Sequence, residues 1–203
     1  MILNRKRTCM NLAHIDGTLP VFEFRLPAPM TRTIMNVDQL RNLQAPIKER
    51  FREDPARAQA TLTARGRIHV AEITCEILRE GECPSRTGLH PLTGGDGSAA
   101  CAAEMLLEAL VGCAGVTFAA VCTALSLPVE SAQLVAEGDL DFRGTMGVSR
   151  NVPVGYEAVR LRFMIDSTES DEKLAKAVEL AERYCVVAQT LKSVSTDWQR
   201  NVA

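Results

Sequence analysis

The segment that begins at Asn36 carries an apolar residue at every third or fourth position. This spacing predicts an amphipathic helix with one apolar face. Pro46 must kink or restart that helix, and the pair Asp54–Pro55 ends it. The apolar stripe consists of Leu40, Leu43, Ile47 and Phe51.

Residues 58–65 alternate between apolar and polar side chains, which predicts a strand with one buried face. Gly66 allows a turn, and a second strand follows as far as Ile77. The alternation of this second strand slips at Ala71–Glu72, which predicts a β-bulge. Residues 79–100 are predicted to be a loop with a flexible, glycine-rich tail. The tail contains neither GxGxxG nor GKS/T, so a nucleotide-binding loop is not favoured.

A long apolar helix is predicted from Ala102 to Leu125, ending before Pro128. No residue from Ala109 to Val129 is charged, so this run is long enough to span a bilayer. It also contains glycine, threonine and serine, and no basic flank marks a cytoplasmic side, which favours a buried core helix. Because the helix is apolar almost all round, we predict that it is covered on most sides.

The remaining elements indicate the fold class. Consecutive strands on both sides of one buried helix predict an α+β fold, with antiparallel sheets around central helices. One chain has few elements to cover such a helix, so we predict an intertwined homodimer.

Five further elements are predicted after the apolar helix. In order, they are a strand at 132–142, a strand at 159–165, a helix capped by Thr168 or Ser170, a short helix from Cys185 to about Leu191, and a strand around Val194.

The overall composition excludes several classes of partner. The formal net charge is −2, which gives no electrostatic reason to bind nucleic acid or an anionic membrane surface. Aromatic residues make up only 4% of the chain, so stacking platforms for single-stranded nucleic acid are scarce. A small molecule or another copy of the chain is the predicted partner.

Residues 1–35 show no lasting period and are interrupted by prolines. We predict that they form an N-terminal extension, either disordered or the product of a mis-assigned start, before a single domain at 36–203. Asp16 interrupts the apolar run that a secretory signal needs, so the predicted location is cytoplasmic.

The cysteines do not form a metal-binding or disulfide pattern. Their spacing contains no CxxC pair, and His14, His69 and His90 stand apart, so no zinc site is predicted. In a reduced protein most of these thiols act as small buried hydrophobes, and one or two are reactive. The cysteines are Cys9, Cys75, Cys83, Cys101, Cys113, Cys122 and Cys185.

Two cysteine-containing segments are similar to signature stretches of the OsmC/Ohr superfamily. The segment MLLEALVGCAGVTFAAV places Cys113 in the central helix, where the family has the form E-L-L-x-A-x-x-G-C. The segment ELAERYCVVAQTL places Cys185 where one helix stops and another starts, and it resembles the family's Y-C-x-V-x-x-T-L. The resemblance covers about residues 57–198 in the same order.

This resemblance implies a swapped homodimer with two active sites at its interface, which reduces organic hydroperoxides without metal or flavin. Cys113 would attack the peroxide, Cys185 would form a disulfide with it, and an external dithiol, in relatives a lipoyl protein, would reduce that disulfide. The family also uses an arginine held by a glutamate. By position Arg67 matches best, with Arg65 and Arg86 as alternatives, and Glu104 fits the motif.

Helix geometry and thiol chemistry qualify these assignments. A reactive thiol in a buried apolar helix needs a cation or a hydrogen-bond donor, because burial raises its pKa. Thr117 lies one turn after Cys113 and can donate to its sulfur, and backbone N–H groups at a helix start can help Cys185. Glu104 lies nine residues before Cys113, which is the opposite side of a straight helix.

Less specific interpretations remain open. Cys122 and Cys75 are predicted to be core residues, Cys101 is a rival nucleophile, and Tyr184 is predicted to be a packing residue. The first alternative function is a non-catalytic, dimeric protein that binds an apolar small molecule. The second is a cysteine acyl-transfer enzyme, which needs His69 or His90 as its base and therefore ranks last.

Overall fold

A computed structural model describes residues 35–79, 83–191 and 194–201. The predicted extension at 1–35 therefore lies outside the described residues, apart from Met35. The helices are α1 (Val37–Glu53), α2 (Ala102–Ala124), α3 (Phe142–Thr145), α4 (Asp171–Tyr184) and α5 (Val186–Thr190). The strands are β1 (Arg65–His69), β2 (Thr74–Leu78), β3 (Ser85–Gly88), β4 (Ala100–Cys101), β5 (Val129–Asp139), β6 (Ala158–Ser167) and β7 (Val194–Arg200).

Helix α1 begins with a capping box. The Asn36 side chain accepts a hydrogen bond from the Gln39 N–H at 2.9 Å, and the Gln39 side chain accepts one from the Asn36 N–H. The helix continues through Pro46, so the alternative that it restarts there is wrong. It ends before Asp54, whose side chain caps a 3-10 turn that starts at Pro55.

The first sheet has the strand order β1-β2-β3-β4 and differs from the prediction in three places. The predicted strand at 58–65 is wrong, because a 3-10 turn ends at Ala58 and irregular, exposed chain continues up to β1. The predicted bulge is a hairpin connection, where Ile73 adopts a left-handed φ of 51° and β1 pairs antiparallel with β2. The predicted loop at 79–100 also contributes β3 and β4, which pair in parallel.

The second sheet has the strand order β5-β6-β7. Strands β5 and β6 are antiparallel, as predicted, whereas β7 runs parallel to β6. The predicted strand at 132–142 ends earlier, because Asp141 caps the short helix α3, which begins at Phe142. Both sheets and the helices together confirm the α+β fold class.

The core lies between this second sheet and helices α2, α4 and α5. Helix α2 contributes Leu110, Ala114, Phe118 and Cys122, which recur every four residues and occupy one face. The Phe118 ring lies 5.1 Å from the Phe163 ring of β6. By length and composition α2 could also cross a membrane, but this packed face identifies a core helix. Helix α2 was predicted to be covered on most sides, but within one chain its opposite face remains exposed.

Candidate functional site

The fold brings Cys113 and Cys185 together although they are far apart in sequence. Cys113 lies half-buried in the middle of α2, and Cys185 is fully buried between α4 and α5. Helix α2 packs against both α4 and α5, which places the two thiols within hydrogen-bonding distance of each other. The predicted pair of thiols therefore shares one site.

The start of α5 supplies donors to the Cys113 sulfur. Cys185 precedes α5 as its extended N-cap residue, so the first N–H groups of the helix have no partner within it. The N–H groups of Val187 and Val186 donate to the Cys113 sulfur. The Thr117 hydroxyl donates to the Cys113 carbonyl oxygen at 2.8 Å, which holds it beside the sulfur, where it also lowers the pKa of Cys113.

These contacts give the two thiols opposite pKa shifts. Burial raises the pKa of Cys113, but the hydrogen bonds from Val187, Cys185, Val186 and Thr117 together outweigh burial and hold that pKa below its ordinary value. Burial raises the pKa of Cys185, and the neighbouring Cys113 raises it further against a hydrogen bond from the Ala188 N–H at 3.4 Å. The pair therefore favours a thiolate at Cys113 and a protonated thiol at Cys185.

The sequence predicted this activation only in part. Backbone N–H groups were expected to help Cys185, and the Ala188 N–H donates to its sulfur at 3.4 Å. The N–H groups of Val186 and Val187, which donate to Cys113, were not expected. The sequence does not indicate these donors, because the position of a backbone N–H group depends on how the two helices pack and not on the identity of a side chain. Thr117 lies beside Cys113 as predicted, but its hydroxyl donates to the Cys113 carbonyl oxygen at 2.8 Å.

The predicted arginine and glutamate do not reach Cys113 within one chain. Arg67 lies exposed on β1, and its nearest Nη atom is 3.5 Å from a carboxylate oxygen of Glu76. Glu104 lies exposed in the first turn of α2, where its charge acts on Tyr156. No hydrogen bond or ion pair given for the described residues joins either side chain to Cys113.

The alternative arginines belong to the same first sheet as Arg67. Arg65 begins β1, and Arg86 on β3 forms an ion pair with Glu72 and a hydrogen bond of 3.2 Å with the Thr74 hydroxyl. Among the described residues, no hydrogen bond or ion pair joins any of the three arginines to Cys113.

The other described cysteines differ in environment. Burial raises the pKa of Cys122 to about 11, and Cys122 lies in the core as predicted. Cys75 is half-buried in the first sheet, and Cys101 is half-buried directly before α2. Tyr184 is mostly exposed with Arg183 above its ring, so the prediction that it is a packing residue is wrong.

His69 and His90 lie apart from the thiol pair. His69 on β1 is 3.4 Å from a carboxylate oxygen of Glu76, and the His90 ring stacks on that of Phe142. Across residues 35–79, 83–191 and 194–201, no group of three or more His, Cys, Asp or Glu side chains is placed to hold a metal ion.

Two apolar cavities border α2 at its opposite ends. The larger, of about 680 Å³, lies between the second half of α2, the start of β5 and the beginning of α1. The second, of about 500 Å³, lies at the first turns of α2 and is bordered by Tyr156 and the His90–Phe142 pair. Cavities of this size are typical of small-molecule sites.

Comparison with known proteins identifies relatives of this fold. The model of a family described as OsmC-like protein matches residues 95–199, a range that contains both thiols. No curated protein matches the chain. An OsmC-like protein of unknown function from Vibrio cholerae has a TM-score of 0.57 at 16% identity, over 70% of this chain and 100% of that one.

Two further solved structures have names that state a biological role. An organic hydroperoxide resistance protein from Elizabethkingia anophelis has a TM-score of 0.58 at 12% identity, over 70% of this chain and 99% of that one. An organic hydroperoxide resistance protein from Legionella pneumophila has a TM-score of 0.52 at 16% identity, over 71% and 100%. At these identities the likeness shows the fold alone.

Proposed function

The chain belongs to the OsmC-like protein family, and from this premise we propose that it is a cysteine-based peroxidase that reduces organic hydroperoxides to alcohols. Cys113 is the peroxide-attacking residue and Cys185 is its disulfide partner. The protein uses no metal or flavin in this reaction. Some structural relatives are named as organic hydroperoxide resistance proteins, which supports the same class of substrate.

The observation that carries this proposal is that the pKa of Cys113 is lowered while the pKa of the neighbouring Cys185 is raised. A thiolate is the nucleophile in peroxide reduction, and the donors around Cys113 favour that form. The raised pKa of Cys185 keeps a proton on the second sulfur until the first has been oxidised.

The reaction proceeds in three balanced steps. The Cys113 thiolate attacks the terminal oxygen of the hydroperoxide and the O–O bond breaks. The departing alkoxide takes a proton from water, which replaces the proton that Cys113 lost on ionising, and becomes the alcohol. Cys113 is left as a sulfenic acid. The Cys185 sulfur then attacks the Cys113 sulfur, an S–S bond forms, and the hydroxyl group leaves as water with the Cys185 proton. An external dithiol reduces the disulfide by exchange and is itself oxidised to a disulfide.

The reductant and the location are part of the same proposal. A lipoyl-bearing protein is the dithiol that the family resemblance implies. Such dithiols are kept reduced in the cytoplasm, which is where the proposal places the protein.

We expect purified protein to consume tert-butyl hydroperoxide in the presence of dithiothreitol, well above the rate of dithiothreitol alone. The pKa of Cys113 is lowered, so Cys113 should remain a thiolate at pH values where an ordinary thiol is already protonated. The activity should therefore persist at those pH values and fall only as the pH drops through the lowered pKa. Loss of peroxide and formation of alcohol are measured together. Peroxide loss at the background rate at every pH contradicts the proposal.

The protein acts as a homodimer under this proposal. Ile68 on β1 is 75% exposed, Val70 directly after β1 is 83% exposed, and Val116 on the free face of α2 is 74% exposed. Exposed apolar side chains of this kind support an interaction surface on both parts of the chain. If a second copy covers α2 with its first sheet, an arginine such as Arg67 reaches Cys113 from the partner, with Glu104 as the proposed carboxylate that holds it.

Light scattering at micromolar concentration should report twice the 22.1 kDa mass of one chain, because the exposed apolar surface destabilises a free protomer. Replacing Ile68 and Val70 together by aspartate should lower that mass or the melting temperature. Replacing two exposed polar residues of α1, Asn42 and Lys48, by aspartate is the matched control and should change neither. A folded monomer of the wild type would contradict the dimer.

A second candidate function is a non-catalytic protein that binds an apolar small molecule. The two apolar cavities beside α2 favour this candidate. It predicts ligand binding without peroxide consumption, so the assay with tert-butyl hydroperoxide separates the two functions.

A further inference from the structure

The first turn of α5 is capped by the two thiol sulfurs. The N–H groups of Val186 and Val187 donate to the Cys113 sulfur, and the Ala188 N–H donates to the Cys185 sulfur at 3.4 Å. These are the first three N–H groups of α5, which have no carbonyl partner within the helix. The thiol pair therefore supplies the acceptors that a capping side chain supplies in other helices.

This first turn depends on the sulfurs because α5 is short. The helix spans five residues, Val186–Thr190, and a helix of this length is not stable by itself in water. Its later part has another attachment, since the Gln189 side chain donates to the Glu182 carbonyl oxygen of α4 at 3.1 Å. Cys113 lies in the middle of the 23-residue helix α2, whose backbone hydrogen bonds fix its position. A change at the thiol pair therefore displaces the first turn of α5 and not α2.

The same turn closes off the Cys185 sulfur. Cys185 is 0% exposed, although Tyr184 before it is 61% exposed and Val186 after it is 72% exposed. An external dithiol can expel either sulfur of a Cys113–Cys185 disulfide by attacking the other one. Cys113 is the better leaving group, because its pKa is lowered and that of Cys185 is raised. The sulfur at which attack is chemically favoured is therefore the one that the reduced structure covers.

Disulfide formation changes the acceptors of the first turn. In the reduced pair the N–H groups of Val186 and Val187 bind a thiolate, and hydrogen bonds to a charged acceptor are the stronger ones. In a disulfide both sulfurs are neutral, which makes them weak acceptors, and the S–S bond of about 2.05 Å draws them toward each other. Water reaches the turn at the exposed Val186 and replaces the lost acceptors.

We propose that formation of the Cys113–Cys185 disulfide releases the first turn of α5 and thereby opens the Cys185 sulfur to the reducing dithiol. The proposal rests on the peroxidase function and adds to it the sulfur at which reduction begins. One thiolate of the dithiol attacks the Cys185 sulfur, the S–S bond breaks, and Cys113 leaves as a thiolate. The second thiol of the dithiol then attacks its partner sulfur in the mixed disulfide, and its proton passes to Cys185. The dithiol is oxidised to a disulfide, and the Cys113 thiolate caps α5 again.

Hydrogen–deuterium exchange tests the release of the turn. Diamide forms the disulfide in wild-type protein without the peroxidase reaction, and peptide mapping verifies that it joins Cys113 to Cys185. Amide exchange at residues 186–188 should then be about tenfold or more faster than in the reduced protein. Exchange at residues 118–124 of α2 should not change. Unchanged exchange at residues 186–188 in the disulfide form, or failure of diamide to join the two cysteines, would overturn the proposal.

A matched pair of variants tests the cap without any oxidation. Reduced Cys113→Ala lacks the sulfur that accepts from Val186 and Val187, so exchange at residues 186–188 should again rise about tenfold. Reduced Cys122→Ala also lacks a sulfur of α2, but Cys122 is buried in the core, and its exchange at residues 186–188 should equal that of wild type. Equal exchange in the two variants would show that the Cys113 sulfur does not hold α5. A wild type that forms the disulfide with diamide but not with a hydroperoxide is instead the failure of the peroxidase function.

A monothiol identifies the sulfur that is attacked. Oxidised wild-type protein is treated briefly with 2-mercaptoethanol, which cannot complete the second step, and the mixed disulfide is trapped with acid. Mass spectrometry should find the adduct on Cys185 at least about tenfold more often than on Cys113. An adduct mainly on Cys113 would show that reduction begins there and would overturn the proposal.

Discussion

Replacing Cys113 by serine should abolish the reduction of organic hydroperoxides. A serine hydroxyl does not ionise near neutral pH, so the same donors that stabilise a thiolate find no anion to stabilise. Peroxide loss with a dithiol should fall to the rate of the dithiol alone, a loss on the order of 10³-fold or more. The fold should persist, because serine is close in size to cysteine and Cys113 is only half-buried.

Other cysteines provide the controls for this result. Cys122→Ala should keep most of the activity, since Cys122 is buried on the core face of α2 and its pKa is raised to about 11. Cys75→Ser should also keep it, because Cys75 belongs to the first sheet. Full activity in Cys113→Ser, or a comparable loss in Cys122→Ala with an unchanged melting temperature, would refute the assignment of the nucleophile.

Replacing Cys185 by serine should stop the reaction after its first step. Cys113 would still reduce one equivalent of hydroperoxide and release the alcohol, but no second sulfur would be present to form the disulfide. The resulting sulfenic acid should be trapped on Cys113 by dimedone, and excess peroxide should oxidise it further to sulfinic acid. Turnover with a dithiol should fall steeply, because a direct reaction of the dithiol with the sulfenic acid must replace disulfide exchange.

Mass spectrometry of the treated variant decides this prediction. In Cys185→Ser the dimedone adduct should appear on the peptide that contains Cys113, whereas treated wild type should show little adduct there. Trapping on Cys101 instead would identify that residue as the nucleophile. Undiminished turnover by Cys185→Ser would show that another thiol, or the dithiol itself, resolves the sulfenic acid.

The sequence predicted the elements that have a strong and regular pattern. Helix α2 was expected at 102–125 and lies at Ala102–Ala124, because its long apolar pattern ends before Pro128 and is typical of a helix packed in a core. The α+β class and the antiparallel pairing of β5 with β6 also followed from alternation. The two cysteine motifs predicted a shared site, and the structure brings Cys113 and Cys185 together.

Features that depend on pairing partners were not predictable in the same way. Residues 58–64 alternate but remain exposed and irregular, because alternation alone supplies no neighbouring strand. The phase slip at Ala71–Glu72 was interpreted as a bulge, whereas the left-handed φ at Ile73 makes it a turn between β1 and β2. No residue pattern distinguishes these two outcomes, since both interrupt alternation by one position.

The activation of Cys113 shows the same limit at the site. The donors of Val186 and Val187 are backbone groups, and they reach the sulfur only because α5 begins beside α2. Glu104 was predicted from its motif and Arg67 from its position in the chain, and within one chain neither contacts Cys113. Their proposed roles therefore depend on the second protomer.

The most direct test of the central claim is the disulfide itself. One equivalent of an alkyl hydroperoxide is added to reduced wild-type protein, free thiols are blocked, and the peptides are mapped without reduction. The account predicts a disulfide between Cys113 and Cys185, whose α-carbons must lie within about 7 Å of each other for the bond to form. A reagent dithiol should then restore both thiols and the activity. Peroxide treatment that yields no disulfide, or one that joins Cys113 to Cys101, would contradict it.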